Sequence, residues 1–185
     1  MAQDIARLVD VDEADRALLA HISADLPIAA DICRADLAIV CKSEQRAGVV
    51  VAQGIPHSVT PLYSDNRVGA RLTMNAHAET VRALSSLPNP SRVNTVNVRG
   101  ATVARQLFPV WGHAGNLLAV MVADSYWLAY ERQRRRSRVF QAALMMFCHQ
   151  LLRGELRGAA DLTPFGPHDG IVVAPFEQRR VPVPH

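Results

Sequence analysis

The spacing of hydrophobic positions changes several times along this chain, and each change marks an element. In "DVDEADRALLAHISADL" (residues 10–26) apolar residues recur at helical intervals. Val11, Leu18, Leu19 and Ile22 fall near one face, and the early acids favour the positive end of a helix dipole. "LPIAADICR" predicts a second, shorter helix, with Asp25 as its N-cap and Pro27 in its first turn, where a missing N–H costs nothing. The spacing then tightens. "DLAIVCK" and "AGVVVAQG" are β-branched runs separated by "SEQR", a length suited to a hairpin. From Ile55 to Arg71, Pro56, Pro61 and Gly69 predict a loop that crosses the molecule.

"NAHAETVRALSSL" returns to helical spacing, with Asn75 as the cap, Glu79 in the first turns and Ala76, Thr80, Ala83, Leu84 and Leu87 near one side; "PNPSR" ends it. "TVARQLFPVW" and "NLLAVMVAD" flank "GHAG" as a second hairpin. The latter strand is apolar on both faces, which predicts a central place in the sheet. In "ERQRRRSRVFQAALMMFCHQLLRGEL" (131–156), read as one long helix, Phe140, Leu144, Phe147 and Leu151 form a stripe at the spacing of a coiled-coil seam. A helix this apolar needs cover on two sides: its own sheet, and the same helix of a second chain in a homodimer. The element order predicts an α+β fold, a central antiparallel sheet with helices on both faces and a long C-terminal helix.

Composition narrows the function. A chain of 185 residues buries one full core, and 49% hydrophobic with 20% charged residues is the composition of a folded soluble protein. The net charge is only +3, and Lys42 is the sole lysine. Arg132, Arg134, Arg135, Arg136 and Arg138 spread around the helix axis, whereas a helix that reads a duplex groups its cations on one side. Direct nucleic-acid binding is therefore not expected. The cluster reads as a solvated helix entrance, with Glu131 pairing to Arg135, or as a contact for an acidic partner. No apolar run approaches the roughly 18 residues of a membrane span, and the acid-rich N-terminus lacks the apolar core of a signal peptide, so no membrane partner and a cytoplasmic location are expected.

Three cysteines without CxxC spacing fit a reducing compartment. Seven scattered histidines show no metal-ligand pattern, and "RGAT" and "WGHAGN" read as glycine turns. No residue takes a catalytic or metal-binding role, and the sequence leaves any cofactor unknown. A small thiol enzyme using Cys41 is the weakest alternative, since Cys33 and Cys148 have apolar neighbours that disfavour thiolates.

Four stretches carry a resemblance beyond topology: "ADLAIVCKSEQRAGVVVAQGIP", "LYSDNRVGARL", "RQLFPVWGHAGNLLAVMVADS" and "FQAALMMFCHQLLRGEL". In order and spacing they resemble the N-terminal GAF-like sensor domain of PdtaS-like cytosolic two-component histidine kinases. Ala52, Gln53, Pro56, Tyr63, Asp65, Val68 and Gly69 match positions common in that family. Ile55 stands where an arginine is usual, and "NAHAETV" lacks a second Arg-Pro, so a ligand held by those arginines is not implied here.

The resemblance implies a sensory input domain over residues 1–157, with a pocket enclosed by sheet and crossing loop. Residues 158–185 would form a Pro/Gly-rich linker, with "HDGIVVA" as the first strand of a PAS domain ahead of a kinase. The phospho-acceptor and ATP-binding boxes of such kinases lie further downstream, so this chain alone is expected to have no kinase activity. Gln53, Tyr63, Asp65 and Arg105 are the candidate ligand-binding residues for an unidentified small molecule. Strand-end hydrogen bonding for Gln53, a core plug for Tyr63 and a turn for Asp65 remain open beside that reading. A stand-alone GAF-like module that regulates a protein partner through its arginines is the alternative of a different class.

Overall fold

The computed structural model describes residues 2–43, 47–135, 138–156, 165, 166 and 169. In chain order these form α1 (Ala2–Leu8), α2 (Glu13–Cys33), β1 (Asp36–Ser43), β2 (Ala47–Gly54), β3 (Arg71–Leu72), α3 (Met74–Ala83), β4 (Val93–Val98), β5 (Ala101–Trp111), β6 (Leu117–Tyr126), α4 (Trp127–Arg134) and α5 (Arg138–Leu152). The strands make one antiparallel sheet in the order β3-β2-β1-β6-β5-β4. Both predicted hairpins are present, and β6 lies centrally between β1 and β5, as its two apolar faces require.

Alternation along the strands gives each face its own core. Leu37, Ile39, Cys41, Phe108, Val110, Ala119 and Met121 face α1, α2 and α5. Ala38, Val40, Val50, Leu107, Val120 and Val122 face the other way, against Val81 and Ala83 of α3 and Leu84, its C-cap. The α+β architecture with helices on both faces is therefore the observed one.

Several elements differ from the sequence reading. The two helices expected on either side of Pro27 are one, Glu13–Cys33, capped by Asp12, whose carboxylate accepts the Asp15 N–H at 2.7 Å. Asp25 is buried within this helix and is not its N-cap. Proline in a helix interior costs about 3 kcal/mol, but Leu19, Ile22, Leu26, Ala29 and Ala30 bury one continuous face against the sheet, and packing prevails. The α3 cap position is Thr73 rather than Asn75, and His77 interrupts the helix with φ −138° and ψ 42°. Helix α1 and strands β3 and β4 were not expected, because they are short or carry only half-apolar patterns.

The expected single long helix is two. Helix α4 closes at Arg135, whose N–H reaches the Glu131 carbonyl, and α5 begins at Arg138. Glu131 pairs with Arg134 at i, i+3 (3.1 Å) rather than with Arg135. Arg136 and the "HDGIVVA" stretch lie outside the described residues, Asp169 apart. Among the described residues no helix is long and apolar enough to cross a membrane.

Helix α5 docks on its own domain. Cys148, Leu151 and Leu152 are buried there, with Leu144, Met145 and Phe147 packed beside them, and Cys148 Sγ lies 3.8 Å from Cys33 Sγ of α2. Of the stripe expected to meet a second chain, Leu151 is fully enclosed by its own domain and Leu144 and Phe147 are partly so. Phe140, at the start of the helix, is half-buried. The exposed apolar side chains of α5 are instead Val139 (70%) and Met146 (63%). Leu151→Ala is expected to lower unfolding free energy by about 2–5 kcal/mol, and Met146→Ala by less than about 0.5 kcal/mol, in urea titrations. Equal losses would mean that α5 is not docked in this orientation.

Candidate functional site

On the α3 side of the sheet the apolar face gives way at one end to a transverse row of polar residues. Register places Asp36 of β1 opposite Asp124 of β6, Asp124 opposite Arg105 of β5, and Arg105 opposite Asn94 of β4. Residues directly opposite share a face, so the two acids and the guanidinium stand side by side. Arg105 grips Asp124 with two nitrogens, Nε to Oδ1 at 2.8 Å and Nη2 to Oδ2 at 2.6 Å. The side chains are only 7% and 2% exposed. Burial alone would lower the Arg105 pKa; the hydrogen bonds and charge of Asp124 outweigh it and raise the pKa above the ordinary value. Arg105 is always charged here.

The crossing loop folds onto this row. Tyr63 donates its hydroxyl to Asp124 Oδ2 at 2.8 Å, and burial with the Asp124 charge pushes its pKa up to about 12. Asp36 accepts the Leu62 N–H at 2.8 Å and the Tyr63 N–H at 3.4 Å. Burial raises the Asp36 pKa, as does the Asp124 carboxylate, against the opposing effect of those two N–H groups and Arg67.

Gln53 latches the far side of the loop, accepting the Arg67 N–H at 2.7 Å and donating to the Asp65 carbonyl at 3.3 Å. A β-bulge aims it there. The β1–β2 register slips opposite Ile39 and Val40, so Val51 and Ala52 both face the α2 side and Gln53, opposite Ala38, faces the loop. Strict alternation from Val50 would have turned Gln53 away.

The loop begins at a third acid. Asp31, fully buried at the end of α2, accepts N–H groups from His57 and Ser58 at Oδ1 and from Phe165 at Oδ2. Burial alone would raise its pKa; those donors and the nearby His57 outweigh it and hold the carboxyl below its usual range.

Between loop, sheet and α3 lies a small inner cavity lined by Gln53, Tyr63, Arg105, Asp36, Asp124 and Thr80 among others. The space open to the centre of a water molecule is about 10 Å³, room for roughly one water. It adjoins an open cleft of about 420 Å³ bounded by the crossing loop, the first turns of α3 and the β4–β5 turn. Tyr63, Arg67, His77 and Arg105 line both.

The Arg67 guanidinium stacks 4.1 Å above the Tyr63 ring. Across the cleft Arg99 reaches Asp65 at 2.6 Å and holds its pKa down. Arg99 and Gly100 both have positive φ, 50° and 85°, the pattern of a two-residue hairpin turn in which Asn ordinarily precedes Gly. His77 is held below its ordinary pKa by burial and by the charges of Arg105 and Arg67, and is neutral at pH 7.

Of the residues singled out from sequence, Gln53, Tyr63 and Arg105 line the inner cavity, and Tyr63, Asp65 and Arg105 the outer cleft. Asp36, Asp124, Arg67, His77, Glu79 and Arg99 were missed. Acids at the ends of two apolar strands were the visible signal, but which strands pair is not written in one sequence. The three cysteines are buried, and burial pushes the Cys41 thiol up to about 12, so it is no thiolate at neutral pH.

A curled antiparallel sheet with a loop-and-helix cleft on one face is the architecture of GAF-like sensory domains. The model of the histidine kinase PdtaS GAF domain matches residues 1–143, and the chain belongs to that family. It is a regulatory, sensory input domain. Among solved structures, the sensor region of a sensor histidine kinase is similar at a TM-score of 0.60 and 18% identity, over 86% of this chain and 55% of that one. The chain thus spans about half the length of that sensor. An IclR transcriptional regulator from Alicyclobacillus acidocaldarius has a TM-score of 0.46 at 11% identity, over 82% of this chain and 70% of that one. No curated protein matches the chain.

The buried pair defines a test. Asp124→Asn and Arg105→Met are each expected to cost about 3–5 kcal/mol, because each leaves a buried group unpaired, whereas Arg105→Met with Asp124→Leu should recover most of that loss. Urea unfolding of the three variants checks it. Single losses under about 1 kcal/mol would show that the pair is solvated.

Proposed function

We propose that this chain is the small-molecule-sensing, dimerising input domain of a sensor histidine kinase in a two-component system. Residues 1–157 would form the sensory domain and 158–185 the linker toward downstream PAS and kinase domains. The single observation that carries the reading is the cleft. Its floor is a buried charged network, its walls come from three separate elements, and its inner end is nearly filled. A ligand that entered would shift the crossing loop or α3, the kind of differential contact that biases two packings of one domain. Gln53, Tyr63, Asp65 and Arg105 are the ligand-binding residues of this proposal, joined by Arg67 and His77.

Homodimerisation would use the outward face of the two C-terminal helices. Val139 and Met146 project from α5, with Phe140 and Phe147 on its flank, while Leu144 and Leu151 hold the helix to its own domain. A signal that altered the docking of α5 would thereby alter the dimer. A cytoplasmic location fits a sensor of internal small molecules.

The test is autophosphorylation of the full-length protein with and without the low-molecular-weight extract of its own cells. The rate should change with extract, and Tyr63→Ala should remove that extract-dependent change. Sedimentation of the chain should give twice 20.2 kDa, and Val139→Asp with Met146→Asp a single 20.2 kDa species. A wild-type rate indifferent to every extract fraction, or a wild-type monomer, would overturn the corresponding half of the proposal.

A further inference from the structure

The charges of the outer cleft do not all cancel. Arg105 is paired with Asp124 and Arg99 with Asp65. Two groups remain. The Arg67 guanidinium, on the crossing loop, stacks on the Tyr63 ring and has no ion-pair partner among the described residues. Glu79, on α3, has its Oε2 enclosed by protein with no hydrogen-bond partner among the described residues. Both side chains line the same cleft of about 420 Å³, from different walls. Arg105 lies on the floor within electrostatic reach of Glu79.

Glu79 Oε2 is itself shut off from the cleft, so a ligand would meet this carboxylate at its other oxygen, which takes no hydrogen bond among the described residues. A guanidinium laid flat on an aromatic ring keeps its edge N–H donors available for a planar oxygen pair. The cleft therefore presents one carboxylate and one guanidinium that have no direct ion-pair partner among the described residues, with Asp36 near Arg67 and Arg105 near Glu79 acting only at longer range. A simple anion would satisfy Arg67 and face Glu79 as a like charge; a simple cation would do the reverse. A molecule that carries both charges answers both.

We infer that the cleft binds a free α-amino acid or an equally small zwitterion, its carboxylate on Arg67 and its ammonium on Glu79. The assignment rests on the sensory reading of this site and deepens it. Neutral His77 beside Arg67 and Arg105 supplies a further hydrogen-bonding group without adding charge. Ala76, Val96 and Val98 offer apolar wall for a side chain. The inner cavity admits about one water, so the side chain stays in the outer cleft.

The experiment is a thermal-shift screen of the chain against each proteinogenic amino acid at millimolar concentration, followed by calorimetry on those that act. Each active compound is compared with its N-acetyl derivative, which has lost the ammonium, and its carboxamide, which has lost the carboxylate. At least one amino acid is expected to raise Tm, and neither derivative to do so. Glu79→Gln and Arg67→Gln should each weaken binding by about tenfold or more, since each removes one charge-assisted contact.

The derivatives probe the charges on the unaltered protein, so the outcome does not hinge on a variant folding. No shift with any amino acid overturns the inference, and so does equal binding of the acetylated and amidated forms. Simple amines and simple carboxylates run in parallel. If one of them binds and a cleft substitution abolishes it, the zwitterion is overturned while the sensory reading stands.

Discussion

Arg105 and Asp124 meet on adjacent strands at one end of a sheet face otherwise given to valine, alanine and leucine. Neither charge is tolerable there alone, because each gives up several kcal/mol of hydration, so the two-point contact between guanidinium and carboxylate is a condition of folding. The pair also leaves work for its neighbours. Asp124 takes a further hydrogen bond from Tyr63, and Asp36 beside it takes the backbone N–H groups of Leu62 and Tyr63. The crossing loop is thus held over the sheet by polar contacts to a buried charged row as well as by buried Leu62. A loop held this way can be released and recaptured by another polar molecule without exposing the hydrophobic core, which lies beneath and on the opposite face.

That separation of faces matters for a sensor. The cleft lies on the α3 side, and α5 is docked on the other, against α2 and the far side of the same strands. Neighbouring residues of one strand serve both faces: Asp36 lines the inner cavity and Leu37 packs in the α2–α5 core, Asp124 lines the inner cavity and Ala123 packs in that core. A second link is polar. The carboxylate of Asp31 holds the start of the crossing loop at His57 and Ser58 and also the N–H of Phe165, beyond α5. Displacement of the loop at that end acts on the same carboxylate that accepts the Phe165 N–H.

Much of this architecture was legible in the residues. The β-branched runs gave four of the strands and both hairpins, and the doubly apolar pattern of "NLLAVMVAD" placed β6 in the centre. What failed to show did so for physical reasons. Pro27 looked like a helix boundary because its local cost is visible in sequence, whereas the continuous buried face that overrides it is a tertiary property. The seam at Phe140, Leu144, Phe147 and Leu151 was correctly apolar, but a stripe does not say whether its cover is its own sheet or another chain.

The site was half legible. Gln53, Tyr63 and Arg105 stood out as polar groups among apolar neighbours. Asp36 and Asp124 did not, since a strand-end acid is ordinarily a turn-former, and only the β1–β6 register brings them together. The orientation of Gln53 depends on a bulge that no single-strand pattern reveals.

On the proposed reading, a small molecule in the cleft changes the docking of α5 on the opposite face. Amide hydrogen exchange of the chain, with and without the low-molecular-weight extract of its own cells, addresses both ends at once. Slower exchange is expected at residues 63–67 and 75–79 together with altered exchange in 144–152. Protection at the cleft with α5 unchanged would contradict the coupling, and no change at either place would contradict the claim altogether.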